Sequence, residues 1–188
     1  PNDMVLGDRN AVMVALRITG YGADYAIEVG CPSCGERSKQ EFNLSGLPIT
    51  RFTCEPVAKG SNVFEAVMPK RNDSDPDLKI RYRHMTGHDE VEMTQMSERK
   101  KKQGFQADNL ITQRYRQQIV AVNDITDKTK IQMFIQKMPT RYSLALRKQM
   151  DANEPGISMK QHIQCPHCGE ESEVSMPLGA SFFWPDTE

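Results

Sequence analysis

The sequence lacks any apolar run approaching the ~18 residues of a membrane-spanning helix, which argues against a spanning segment. It also lacks an excess of charge. There are 24 basic and 25 acidic residues, for a formal net charge of −1, which counts against a general nucleic-acid binder, whose phosphate contacts call for a basic surplus. Gly-x-Ser-x-Gly, Gly-x-x-x-x-Gly-Lys-Ser/Thr and His-Glu-x-x-His are all missing, and the carboxylates are scattered without a convincing pair. An enzyme would need a site assembled from unrecognised residues. Aromatic residues are few, 7% of the chain with one tryptophan, and hydrophobic residues make up 38%, enough for a core of moderate size. The 188 residues fit one large domain or two small ones. The chain starts at Pro1, which leaves open what precedes it.

Cysteine is present in a pattern. Cys31-Pro-Ser-Cys34-Gly35 and Cys165-Pro-His-Cys168-Gly169 are two copies of one turn, separated by residues 35–164. Two cysteines with two residues between them can aim both thiolates at one point. The proline restricts φ, and the glycine can take the positive φ needed beyond the second sulfur. Together the copies supply Cys31, Cys34, Cys165 and Cys168, a full tetrahedral shell for a structural zinc ion. The reading is one zinc ribbon, split by a long insertion whose ends the metal pins together. A redox dithiol fits less well, because such a motif opens a helix and here polar, strand-like residues follow both turns. Two disulfides would suit an extracellular protein, but Cys54 would be left over and no signal-peptide pattern supports them. Two metal sites that each borrow ligands from another chain are a further alternative. A closed tetrathiolate shell has no open position for substrate, so the metal is expected to be chemically idle and His167 to face solvent.

Residues 8–19 read as a helix capped by Asp8 and closed by Gly20, with Val12, Ala15, Leu16 and Thr19 on its apolar face. Tyr25–Val29 and Ser38–Leu44 form a hairpin with the first cysteine turn at its tip. Residues 63–68 and 78–83 are strands joined by a polar loop at 69–76. Cys54 between these regions is expected to be buried or half-buried. Thr86-Gly-His-Asp89 starts a helix to about Lys102 with a capping box. Its basic end, residues 99–102, suits the helix dipole, or else an acidic partner or nucleic acid. A helix over 110–118, a β-branched run at 119–122, a helix from Asp127, another after Pro139 that stops at Pro155-Gly156, and strands on either side of the second turn complete the insertion and the ribbon. His84, His88 and His162 are expected at the surface. The eleven methionines are core filler or adaptable interface surface. Phe182, Phe183 and Trp184 cannot all face one way, so some should cover the ribbon and others could anchor a partner.

The fold class expected is α+β: a split four-cysteine zinc ribbon with a long insertion of short antiparallel strands and helices. Residues 1–48 form the first part, 49–156 the insertion, and 157–188 the second half of the ribbon and the tail. Gly7-Asp-Arg-Asn10, Ala15-Leu-Arg17, the first cysteine turn with Glu36, Met68-Pro69, the run from His84 to Glu90, Phe134-Ile-Gln-Lys-Met-Pro139, the second turn through Glu171, and Phe182-Phe-Trp-Pro185 form a series over nearly the whole chain. This series resembles the baseplate hub protein family of contractile-tailed, T-even-type bacteriophages. The resemblance implies a virion or virion-assembly protein of the tail baseplate, made in the bacterial host cytoplasm. It implies other baseplate or tail proteins as partners; a homo-oligomer is a further option, no membrane is expected, and the balanced charge counts against nucleic acid. The resemblance carries over no catalytic residue. The competing class is a zinc-ribbon nucleic-acid-binding accessory factor, for which the run at 99–102 and Arg81-Tyr-Arg-His84 speak.

Overall fold

The computed structural model describes residues 2–70, 72–102, 110–176, 178 and 180–183. In chain order the elements are α1 (Leu6–Tyr21), β1 (Asp24–Gly30), β2 (Arg37–Asn43), a 3-10 turn (Leu44–Gly46), β3 (Ile49–Thr50), β4 (Phe64–Val67), β5 (Lys79–Tyr82), α2 (Gly87–Lys102), α3 (Leu110–Gln118), β6 (Ile119–Val122), α4 (Lys128–Lys137), α5 (Thr140–Ala152), β7 (Gly156–Ile157), β8 (Lys160–Gln164), β9 (Glu171–Ser175) and α6 (Ala180–Phe183). The fold is α+β, with short antiparallel strands. Two compact units share these elements, one from Gly7–Thr50 and Pro155–Glu188, the other from Pro1–Leu6 and Arg51–Glu154.

The first unit holds both cysteine hairpins. β1 pairs with β2 and β8 with β9, both antiparallel, and β3 pairs with β7 through Ile49 and Ile157. Alternation along β1 turns Tyr25 and Val29 inward and leaves Asp24, Ala26 and Glu28 exposed. Val29, Ile163 and Val174 pack together below the cysteine turns, with Ile27 and Phe42 against them. A larger cluster gathers Val14, Tyr25, Leu44, Leu47, Met176 and Phe182. The strand expected to lead into the second turn is broken into β7 and β8, with residues 158–159 between them.

The buried side of α1 is not the expected one. Val14 is 1% exposed, whereas Val12 and Leu16 are 45% and 59% exposed. The inner stripe includes Arg17, which an apolar count passes over. Its guanidinium lies 4.9 Å from the Tyr21 ring centroid and 5.7 Å from that of Tyr25, and its NH1 donates to the Gly22 carbonyl at 3.2 Å. Two aromatic faces and a carbonyl make burial of this cation tolerable. The helix closes at Gly22, not Gly20, with the Gly22 N–H on the Ile18 carbonyl. At the other end, a Cβ on Gly7 would collide with the Pro155 carbonyl oxygen, so the two chain segments meet backbone to backbone.

The second unit is built on the antiparallel sheet β4-β5-β6. One face carries Phe64, Ala66, Ile80 and Tyr82, which join Tyr115, Ile131, Ile135, Leu146 and Met150 from α3, α4 and α5 in one core. The other face carries Glu65, which pairs with Lys79 at 3.1 Å and Arg81 at 3.3 Å. β6 bulges where Tyr82 pairs with Ile119 and Arg81 with Ala121, leaving Val120 as the extra residue. Asp127 caps α4 by accepting from the Lys130 N–H at 2.9 Å, and α5 starts directly after Pro139, both as the sequence implies.

His84 departs from its expected surface position. It is 1% exposed, with its ring 5.0 Å from Phe64, 5.7 Å from Tyr82 and 5.8 Å from Phe52. The buried Asn153 stands beside it. Its carbonyl oxygen accepts from the Thr53 and Cys54 N–H groups at 2.8 and 3.1 Å, and its amide donates to the Tyr82 hydroxyl at 3.2 Å. Cys54 itself is exposed, not buried or half-buried as expected; its backbone N–H is what Asn153 holds. Burial pushes the Tyr82 hydroxyl up to about 12.

Helix α2 is anchored at its first turn and little elsewhere. The buried Asp89 carboxylate takes both guanidinium nitrogens of Arg83 at 2.6 Å, the Thr86 N–H at 2.8 Å and the Thr86 hydroxyl at 2.9 Å. This is the capping residue pair that the sequence points to, with an arginine fork added. Beyond Asp89, none of residues 90–99 is buried.

Candidate metal centre

The two cysteine turns are built alike. In the first, the Cys31 N–H donates to the Glu36 carbonyl at 2.9 Å and the Gly35 N–H to the Cys31 carbonyl at 2.9 Å. In the second, Cys165 N–H to Glu170 and Gly169 N–H to Cys165 measure 3.0 and 2.8 Å. Gly35 and Gly169 have φ of 78° and 74°, the left-handed conformation that glycine adopts without strain. Each turn therefore sits at a hairpin tip with its sulfurs projecting the same way.

The tips meet. Cys31 Sγ lies 3.8 Å from Cys168 Sγ and Cys34 Sγ 3.7 Å from Cys165 Sγ, although the residues in these pairs are 137 and 131 positions apart. All four sulfurs lie within 4.8 Å of one another. A tetrahedral ion with metal–sulfur bonds of about 2.3 Å requires sulfur–sulfur edges of about 3.8 Å. The cluster fits such an ion, and its separations are far beyond the ~2.05 Å of a disulfide. Cys31 and Cys165 are buried and Cys34 and Cys168 exposed, so each turn contributes one inner and one outer sulfur.

The electrostatics suit a cation. Backbone N–H groups of Cys34 and Ser33 lower the Cys31 thiol to about 7, and the Ser33 N–H stands 3.4 Å from its sulfur. The Glu36 N–H acts on Cys34 in the same direction, but desolvation and the neighbouring sulfurs outweigh it and push that thiol up to about 12. Four thiolates at this spacing repel one another, so some protons stay on until a cation replaces them. His167 is exposed and outside the sulfur cluster. His88 and His162 are exposed as well.

The aromatic tail is divided. Phe182 is 0% exposed and lies 5.0 Å from Tyr25 and 5.2 Å from Phe183, edge-on to both. It is a core residue, and that burial leaves no face of it for the partner expected there. Phe183 is half-buried, and Trp184 lies outside the described residues. The exposed Arg99 is the one member of the basic run whose side chain is described. In the loop at 69–76, Asn72 and Asp75 close a tight turn, the Asn72 N–H donating to the Asp75 carboxylate at 3.0 Å.

One feature that sequence reasoning missed is a cleft of about 490 Å³ in the second unit, reached by residues from α2, α3, β6 and α4. No local motif could have signalled it, because its lining comes from four separate elements.

The protein-family model described as T4 bacteriophage base plate protein matches residues 2–184. No curated protein and no solved structure matches the chain significantly. Among the described residues, no helix is long and apolar enough to cross a membrane.

Proposed function

Because the chain belongs to the T4 bacteriophage base plate protein family, we propose that it is a structural or assembly component of the baseplate hub that acts by binding other tail proteins. The family match across residues 2–184, which spans both cysteine turns, carries this reading. The bound metal is zinc, held by Cys31, Cys34, Cys165 and Cys168. Its part is structural, since four thiolates complete a tetrahedral shell and leave no position for a substrate. The chain works by contact and not by catalysis. It joins the tail during assembly in the host cytoplasm.

The test is mass spectrometry of purified phage particles and of tail intermediates from infected-cell lysate. Recovery with baseplate proteins in either fraction supports the reading, and the fraction tells a resident subunit from a transient assembly factor. A chain that co-purifies with no tail protein at any stage overturns it. Elemental analysis of the same protein should return one zinc per chain; a fully folded, metal-free protein overturns the zinc assignment.

A further inference from the structure

We infer that the cleft beside β6 is a docking groove for an acidic segment with apolar anchors, contributed by another tail protein. The inference rests on the assembly reading above and specifies the chemistry of one contact. The cleft, about 490 Å³, is within the range of sites that enclose a ligand. Met93 and Met96 of α2, Ile131 of α4 and the bulged Val120 of β6 are among the residues that line it. Met96 is 52% exposed. Methionine side chains of this kind re-pack around varied apolar partners.

Among the described residues, the charged side chains that line the cleft are Arg83, Arg116 and Lys128. Arg83 is engaged by Asp89. The carboxylate of Glu92, nearby on α2, is 3.4 Å from both Gln117 and His88. Arg116 and Lys128 are exposed and have no ion-pair partner among the described residues. Two unpaired cations beside an apolar trough select a segment that brings carboxylates and apolar side chains together. A nucleic acid fits less well, since among the described residues no aromatic ring lines the cleft for base stacking. The state of α2 points the same way. A 16-residue helix with no buried side chain from 90 to 99 is marginal by itself, and a segment packed along the half-buried Met93 and exposed Met96 would bury apolar surface on it.

The experiment places a photo-crosslinking amino acid at Gln132, an exposed lining residue, in the full chain expressed during infection. The crosslinked peptide is then sequenced. The expected product is a peptide of another tail protein, with net negative charge and apolar residues. An Arg116→Glu/Lys128→Glu double variant with an unchanged melting temperature should lower its yield by on the order of tenfold or more. A crosslink to nucleic acid, to a second copy of this chain, or to a peptide without net negative charge overturns the inference, as does an unchanged yield in the double variant. Presence of the chain in tail assemblies without any crosslink overturns this inference alone. Absence from all tail assemblies overturns the assembly reading and this inference with it.

Discussion

Removing the metal, by chelation or by Cys165→Ser, should release the two hairpins and spare the sheet β4-β5-β6. Cys34 and Cys165 are 131 positions apart, yet their sulfurs are 3.7 Å apart. With Arg51–Glu154 still folded, the chain that the metal closes is residues 35–50 and 155–164, and a loop of about 26 residues is worth about 3.5 kcal/mol at 25 °C in the chain-entropy treatment. Structural zinc in small peptides contributes on the order of 10 kcal/mol of apparent folding free energy. Away from the core around Tyr25 and Phe182, the ends of the hairpins that carry the cysteines hold little to replace either. Their strands run to seven, seven, five and five residues, and the buried side chains below the cysteines are Val29, Ile163 and Val174. A two-stranded hairpin is marginal in water without such support. The β4-β5-β6 sheet has its own core around Ile80, Tyr82 and Leu146 and needs no metal.

The assay is amide hydrogen exchange read by mass spectrometry, with and without chelator and on Cys165→Ser. A loss of about 3.5 kcal/mol corresponds to exchange faster by on the order of a few hundredfold in β1, β2, β8 and β9. Amides of β4, β5 and β6 should keep their protection. If the hairpin amides exchange at the parental rate without metal, the four sulfurs are not what holds the hairpins together. If all strands lose protection at once, the β4-β5-β6 core is not independent of the metal.

Asp89→Asn should destabilise the protein by about 3–5 kcal/mol in a denaturant melt, because it leaves Arg83 without its charge partner at a mostly buried site; a loss below about 1 kcal/mol refutes this. Burial raises the Asp89 carboxyl, but the Arg83 guanidinium and the Thr86 donors outweigh it and hold the group below the usual carboxylate range. Its contribution is therefore present above the unfolded pKa of about 3.9 and lost as pH falls through the depressed folded value, and Asp89→Asn should flatten that acid limb. Phe182→Ala should lower stability by about 3–5 kcal/mol, as emptying a packed aromatic site does, whereas an unchanged melt with lost tail incorporation would return this ring to an interface. Gly7→Ala should cost about 1–3 kcal/mol or more through overpacking, since its Cβ would collide with the Pro155 carbonyl oxygen; a neutral variant would show that the two segments separate easily.

The features legible in the sequence are those whose cause lies within a few residues. Cys-Pro-x-Cys-Gly holds its own proline, its own left-handed glycine and both sulfurs, so the turn is implied before anything packs on it. Asp127 three residues before the Lys130 N–H, and Thr86 three before Asp89, are local in the same sense. The hairpin of β4 and β5 follows from alternation on either side of a polar loop. That two turns so far apart should come together was also legible, because a tetrahedral shell needs four sulfurs and each turn has two.

The features that were not legible depend on which distant residue arrives as a neighbour. The one local sign of burial at His84 is that it continues the inward alternation of Ile80 and Tyr82 past the end of β5. Asn153, 69 positions away, and the rings of Phe52 and Phe64 make a buried histidine tolerable. Periodicity along α1 favoured Val12 and Leu16 over Val14 because the count treats Arg17 as polar. Tyr21 and Tyr25 give that cation two ring faces, and the helix turns its Val14 side inward. Phe182 was a candidate anchor until Tyr25 lay edge-on against it. In each case the residue type was read against water as its default surroundings, and a partner from elsewhere in the chain replaced the water. The same reasoning applies at Arg116 and Lys128. Side chains that the chain itself does not cover, beside an apolar trough, are the ones whose surroundings another molecule can still change.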